Sequence, residues 1–284
     1  MTERRYRVVD VFAEQPPAGN PLAVVLDGDG LTTEQMQAYA NWTNLSETTF
    51  LLPPTDPAAD YHVRIFTPAE ELPFAGHPTL GSCRAWLDAG GEPKTAGTVV
   101  QECGAGLVPL RVDGDRQAFL APPLTRSGPV DDDDLTRTLA ELGLDAADVV
   151  DAAWIDNGPG WLGLLLPSAE AVLAVEPGTI SEKIGLIGFH PDGHEAAYEV
   201  RAFFSVGAAT LEDPVTGSLN ASAAQWLVET GRIAPPYLAT QGTAIGRSGR
   251  ITITGGDGGG ADGGGPEIWV GGAASIVVSG TVEL

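Results

Sequence analysis

"VRIFTPAEELPFAGHPTLGSCRAWL" occupies residues 63–87, and "VRAFFSVGAATLEDPVTGSLNASAAQWL" occupies residues 200–227. In both, an arginine (Arg64, Arg201) stands in an apolar run, a proline (Pro78, Pro214) follows, Gly-Ser comes at the same offset behind it (Gly81-Ser82, Gly217-Ser218), and Trp-Leu closes the segment. The second stretch reads as the first rewritten, so the chain is expected to be a duplicated unit of strand, turn and helix. Proline is tolerated at the first helical position, where its missing N–H would have no partner. His77 and Asp213 are then expected as the N-caps. Helices begun in this way present backbone N–H groups that, with the helix dipole, favour a carboxylate. If the halves pack about a pseudo-two-fold axis, both helix starts converge on one cleft.

Outward from these segments, period-two patterns predict strands near 5–13, 22–26, 47–52, 61–66, 98–103, 106–112 and 117–121, with helical spacing over 33–43 and 78–89. The proline, glycine and acid of "APPLTRSGPVDDDD" mark a boundary between halves. The aspartate run there suits a helix N-terminus. Beyond it, a helix is expected over 132–142 and another over 214–229, with strands near 162–166, 184–189 and 197–205. "GGDGGGADGGG" at 255–265 reads as a loop and matches no phosphate-binding or dinucleotide fingerprint.

Composition narrows the classes of function. A chain of 284 residues with 43% hydrophobic residues can bury a real core. Its net charge of -23, with 15 Lys plus Arg, argues against a nucleic-acid partner, which needs a basic face. Neither a signal peptide nor a membrane-spanning apolar run is evident, so a cytoplasmic protein without membrane insertion is expected. Cys83 and Cys103 sit in no metal-binding pattern and are expected to be reduced, buried thiols, with no metal site.

Among individual residues, His77 and Asp213 gain interest because they hold corresponding places in the repeat, although capping alone would account for Asp213. Gly76 and Gly217 would allow a ligand close to the backbone. Glu47 in "NLSETTFLLP" lies at the entry to an apolar strand, as an edge residue or facing a cleft. In an apolar cleft it would suit proton transfer near neutral pH.

Taken together, "VDVFAEQPPAGNPLAVVLD", "NLSETTFLLPP", "RIFTPAEELPFAGHPTLGS", "EDPVTGS" and "QGTAIGRSGRI" resemble the PhzF family, the phenazine-biosynthesis-like isomerases of the diaminopimelate epimerase fold. The resemblance implies an α+β fold of two pseudo-symmetric lobes, each a curved mixed sheet wrapped around a central helix, with the active site in the cleft. With the boundary set at the proline-glycine-acid stretch, 1–125 is expected as the N-terminal lobe and 126–269 as the C-terminal lobe, and the resemblance implies that a returning strand at 270–284 joins the first. It further implies Glu47 as acid/base, with His77 and Asp213 flanking the substrate. Gly76, Gly217 and Ser218 would hold the substrate's polar groups. The expected reaction is a cofactor-free proton or double-bond shift in a small carboxylic acid, by a homodimer. The chain departs from the family at "FFSVGAATL" and at "LNAS" after Ser218, which puts in question the phenazine precursor as its substrate. It also lacks the thiol pair that related cysteine-dependent epimerases place one in each half. A cofactor-independent epimerase and a non-catalytic small-acid binder are the alternatives.

Overall fold

Strands β1 (Glu3–Val11) and β2 (Asn20–Val25) form the antiparallel pair that the alternating N-terminal residues predict. The structure, a computed structural model, describes residues 2–256 and 267–284. Thr32 opens α1 (Thr33–Thr43) with a capping box completed by Gln35, and Asn44, at φ 54°, ends the helix in left-handed backbone. β3 (Glu47–Leu52) runs parallel to β2, β4 (Tyr61–Phe66) antiparallel to β3, and β5 (Glu71–Leu72) antiparallel to β4. After α2 (Gly76–Asp88) come β6 (Thr98–Cys103), parallel to β4, and the hairpin strands β7 (Gly106–Asp113) and β8 (Arg116–Leu120). With Gly271–Leu284, these elements make one compact unit, Met1–Leu120 and Gly271–Leu284.

Ala121–Val270 makes the second unit. It contains β9 (Arg126–Pro129), α3 (Asp132–Leu142), β10 (Asp151–Asp156), β11 (Trp161–Leu166), α4 (Ala169–Ala174) and β12 (Lys183–Phe189). β13 (Tyr198–Val206), β14 (Ala209–Asp213), α5 (Gly217–Glu229), β15 (Tyr237–Gln241) and β16 (Gly249–Gly255) follow. β17 (Ile268–Glu283) starts in this unit, and its later residues pair antiparallel with β1. Pairing senses repeat between units: β10/β11 antiparallel, β11/β12 parallel, β12/β13 antiparallel and β13/β15 parallel match β1/β2, β2/β3, β3/β4 and β4/β6. The fold is therefore α+β with mixed sheets and an internally repeated order.

Burial on both sheet faces explains the near-continuous apolar runs. In "WLGLLL" of β11, Leu162, Leu164 and Leu166 share a core with Leu139 and Leu142 of α3 and Val172 of α4. The alternate residue Gly163 lies under α5, because a Cβ there would come 3.3 Å from the Trp226 ring. Gly185 of β12 accommodates Leu219 of α5 in the same way. In the first unit, Val25, Phe50 and Phe66 pack with Met36 and Ala40 of α1. There α2 approaches the sheet through Gly81, where a Cβ would meet Leu22 Cδ2 at 2.6 Å and Val11 Cγ2 at 2.9 Å. The aspartates 132–134 occupy the first turn of α3, as their charge favours, and Gly143, at φ 66°, ends that helix.

The helix starts correct the sequence reading. α2 begins at Gly76 with Ala75 as N-cap, so His77 lies inside the first turn and Pro78 is its third residue, still where an N–H has no acceptor. α5 begins at Gly217 with Thr216 as N-cap, so Asp213 ends β14 and is not the N-cap residue. Both helices are 13 residues long. Structural equivalence thus matches Gly76 with Gly217 and His77 with Ser218, and the proline-anchored alignment is out of step. The sequence motif misleads because proline fits equally well before a helix and within its first turn. Of the glycine-rich stretch at 255–265, residues 257–265 lie outside the described residues. Among the described residues no helix is long and apolar enough to cross a membrane.

Candidate active site

In the first unit, three elements bring Asn20, Glu47 and His77 together. Asn20 and Glu47 are the first residues of the parallel neighbours β2 and β3, where Leu22 is in register with Glu47. The loop before Asn20 is held by Asp10, whose buried carboxylate accepts from Ala18 N at 2.9 Å and Gly19 N at 3.0 Å. Gly19 is required at that loop, since a Cβ would lie 2.0 Å from the Val11 carbonyl oxygen. His77 enters from the first turn of α2, with its side chain 4% exposed.

His77 Nδ1 lies 3.4 Å from Glu47 Oε2 and 3.4 Å from Asn20 Nδ2. Burial pushes the His77 pKa down to about 3, opposed in part by the Pro21 carbonyl, so the imidazole is neutral near pH 7. With a neutral imidazole, the 3.4 Å Glu47–His77 approach is not an ion pair. Against an ionised Glu47, Nδ1 must carry the proton; against a protonated Glu47 or the Asn20 amide, it must offer its lone pair. Glu47 and Gly76 gather with His77 as the sequence suggests, whereas Asn20 was not singled out. Its place before Pro21 reads like a turn signal, and only the fold turns it toward the imidazole.

In the second unit, Asp213, Gly217 and Ser218 share one turn, which is knotted by side chains from beyond it. Asp213 Oδ2 accepts from Thr216 Oγ1 at 2.5 Å. Gln241, at the end of β15, bonds to Thr216 N, Thr216 Oγ1, Asn220 Nδ2 and the Asp213 carbonyl. Ser218 Oγ accepts from Trp161 Nε1 at 3.0 Å, and its carbonyl from Asn157 Nδ2 at 2.9 Å. Neither N-cap residue, Ala75 of α2 or Thr216 of α5, makes a side-chain cap hydrogen bond.

The two conspicuous arginines of the repeat are structural. Arg64 binds Glu71 across β4/β5 and stacks on Phe66, and Arg201 binds Glu212 across β13/β14 and stacks on Phe203. Cys83 and Cys103 are buried thiols; burial pushes the Cys83 pKa up to about 12, where little nucleophilic thiolate exists. Among the described residues no group of three or more His, Cys, Asp or Glu side chains is arranged to hold a metal ion.

Residues 9–280 match the PhzC-PhzF model, described as phenazine biosynthesis-like protein. The chain belongs to the PhzF family. Antisense-enhancing sequence 1 of Schizosaccharomyces pombe is 37% identical over 87% of this chain and 88% of its own length. The trans-2,3-dihydro-3-hydroxyanthranilate isomerase of Pseudomonas fluorescens is 33% identical over 85% of this chain and 87% of its own. The crystal structure of a PhzF-family protein from Bacillus anthracis superposes with a TM-score of 0.83 at 22% identity, covering 100% of both chains, and shows the fold. With curated PhzF relatives named isomerases over most of its length, the chain is an enzyme of the isomerase class.

Proposed function

We propose that this PhzF-family isomerase moves a proton, and with it a double bond, within a small unsaturated or cyclic carboxylic acid, without a cofactor. The observation that carries the proposal is the Glu47–His77 pair, a carboxylate beside a buried neutral imidazole. Glu47 takes a proton from one carbon of the acid, and the C–H electron pair delocalises into the neighbouring unsaturation. The resulting Glu47 carboxyl returns the same proton to another carbon, so atoms and charge balance. His77 stays a neutral imidazole beside Glu47 throughout, and the pairing of groups at fixed distance replaces a bimolecular encounter. Gly76 of the first unit, and Asp213, Gly217 and Ser218 of the second, are proposed contacts for the acid's polar groups.

The fold part of this reading is two pseudo-symmetric lobes, each a curved sheet about a central helix, and the repeated strand order and the contacts of α2 with β1, β2, β3, β6 and β8 support it. A homodimer belongs to the same proposal and is checked by light scattering of the eluting protein. The decisive experiment is Glu47→Gln, assayed with trans-2,3-dihydro-3-hydroxyanthranilate and related unsaturated acids in deuterated water. Loss of turnover by about 100-fold or more, with the acid still bound, is the expected result. A variant that keeps wild-type turnover refutes the role of Glu47. Inversion of a stereocentre without an ultraviolet change identifies an epimerase instead, and binding without turnover by the wild type identifies a binding protein.

A further inference from the structure

Gln241 is fully buried, and its amide meets a complete set of partners. Its Oε1 accepts from Thr216 N at 2.9 Å and from Asn220 Nδ2 at 2.8 Å. Its Nε2 donates to the Asp213 carbonyl at 3.1 Å and to Thr216 Oγ1 at 2.9 Å. Two donors facing one end of the amide and two acceptors facing the other settle its orientation, because a flipped amide would set N–H against N–H. That orientation has a consequence one bond further on. Thr216 Oγ1 already receives the Gln241 N–H, so its own proton is directed to Asp213 Oδ2 at 2.5 Å. A threonine next to a carboxylate could otherwise rotate its hydroxyl toward the backbone, as Ser and Thr commonly do near helix starts. Here Thr216, although it is the N-cap residue, makes no side-chain cap bond.

Backbone packing supports the same turn. Gly242, at φ 92°, passes so close that a Cβ would lie 2.6 Å from the Pro214 carbonyl oxygen, and a Cβ at Gly249 would lie 2.5 Å from Val215 Cγ2. The "QGTAIGRSG" loop is therefore moulded onto "DPVTG", with Gln241 as its polar pin.

From this geometry we propose that Gln241 and Thr216 are positioning residues for the reaction, aiming the Asp213 carboxylate through a one-way chain of hydrogen bonds, Gln241 to Thr216 to Asp213. The inference rests on the role of Asp213 proposed above. It assigns to Thr216 a duty other than capping and gives the second glycine-rich motif a chemical purpose beyond its turn.

The test uses the full chain with Thr216→Val, Thr216→Ser, Gln241→Leu and Asp213→Asn. With trans-2,3-dihydro-3-hydroxyanthranilate as the probe acid, Thr216→Val and Gln241→Leu are expected to lower kcat about 10-fold or more with KM changed less than about threefold, since the group is misaimed and not removed. Thr216→Ser keeps the hydroxyl and is expected to recover kcat to within about threefold of wild type. A merely structural threonine would lower kcat only through the unfolded fraction, so kcat measured well below each variant's urea midpoint would stay at wild type in Thr216→Val. Wild-type kcat in Thr216→Val beside an inactive Asp213→Asn overturns the chain of bonds and leaves the role of Asp213 standing. Wild-type kcat in Asp213→Asn overturns both. Should the wild type not convert the probe, urea unfolding decides: the double variant Thr216→Val/Asp213→Asn must lose less than the two single losses combined, and additive losses overturn the inference.

Discussion

Replacing Arg201 by methionine should cost far more stability than the same change at Arg64, although the two arginines repeat one another in sequence. Arg201 and Glu212 have side chains only 7% and 9% exposed, joined at 2.8 Å and 3.1 Å. The other end of the guanidinium donates to the carbonyls of Val175 at 2.5 Å and Val172 at 3.2 Å, tying the end of α4 to β13. Methionine would fill the space over Phe203 but leave a buried carboxylate and the Val175 carbonyl without their Arg201 donor, and the Val172 carbonyl with only its long bond from Val175 N. Breaking one partner out of such a buried pair costs about 3–5 kcal/mol. Arg64 and Glu71 are 22% and 37% exposed, and water can solvate what Arg64→Met leaves behind. Exposed pairs of this kind contribute about 0–1 kcal/mol. Urea unfolding followed by tryptophan fluorescence measures both losses. If Arg201→Met costs no more than about 1 kcal/mol, or Arg64→Met costs as much as Arg201→Met, burial is not what separates the two copies. Arg201→Met/Glu212→Leu, which removes both charges, should recover much of the loss.

Two further outcomes follow from single residues. His77 has a pKa near 3 when folded against 6.5 for an ordinary histidine. Above pH 6.5 neither state is protonated there; between 6.5 and 3 the unfolded chain takes a proton that the folded one refuses. The His77 contribution to stability should thus fall by about 1.4 kcal/mol per pH unit in that window, and His77→Asn should have a shallower slope in urea midpoints from pH 7 to pH 4; identical slopes would show that the imidazole is not buried neutral. Gly242→Ala adds a clash with Pro214 to its left-handed strain and should destabilise by more than the roughly 1–2 kcal/mol of strain alone. Gly246→Ala, at φ 72° with open space around it, should stay within that range. Thermal unfolding of the pair checks this, and equal losses would mean that the loop can move off the turn.

The sequence marks candidate residues for the site by local pattern. Glu47 is marked by a carboxylate at the mouth of an apolar strand, and His77, Asp213 and Gly217-Ser218 by the repeat. What failed was the alignment of the copies. A proline anchors a helix start only to within a turn, so His77 and Asp213 were assigned matching caps, yet one lies inside α2 and the other ends β14. Asn20, Thr216 and Gln241 gave no signal, since a buried amide or hydroxyl has no sequence periodicity and is recognised by its partners alone.

The sequence by itself determined the duplicated order of strands and helices, because apolar periodicity and capping residues act over a few neighbouring positions. It also determined the family, through motifs spread from end to end. Only the tertiary structure decided that the Glu47 neighbour is a neutral imidazole, that Gln241 orients Thr216, and that Arg201 is buried while Arg64 is not. Those outcomes depend on desolvation and hydrogen-bond direction, which arise when residues distant in the chain exclude water from one another.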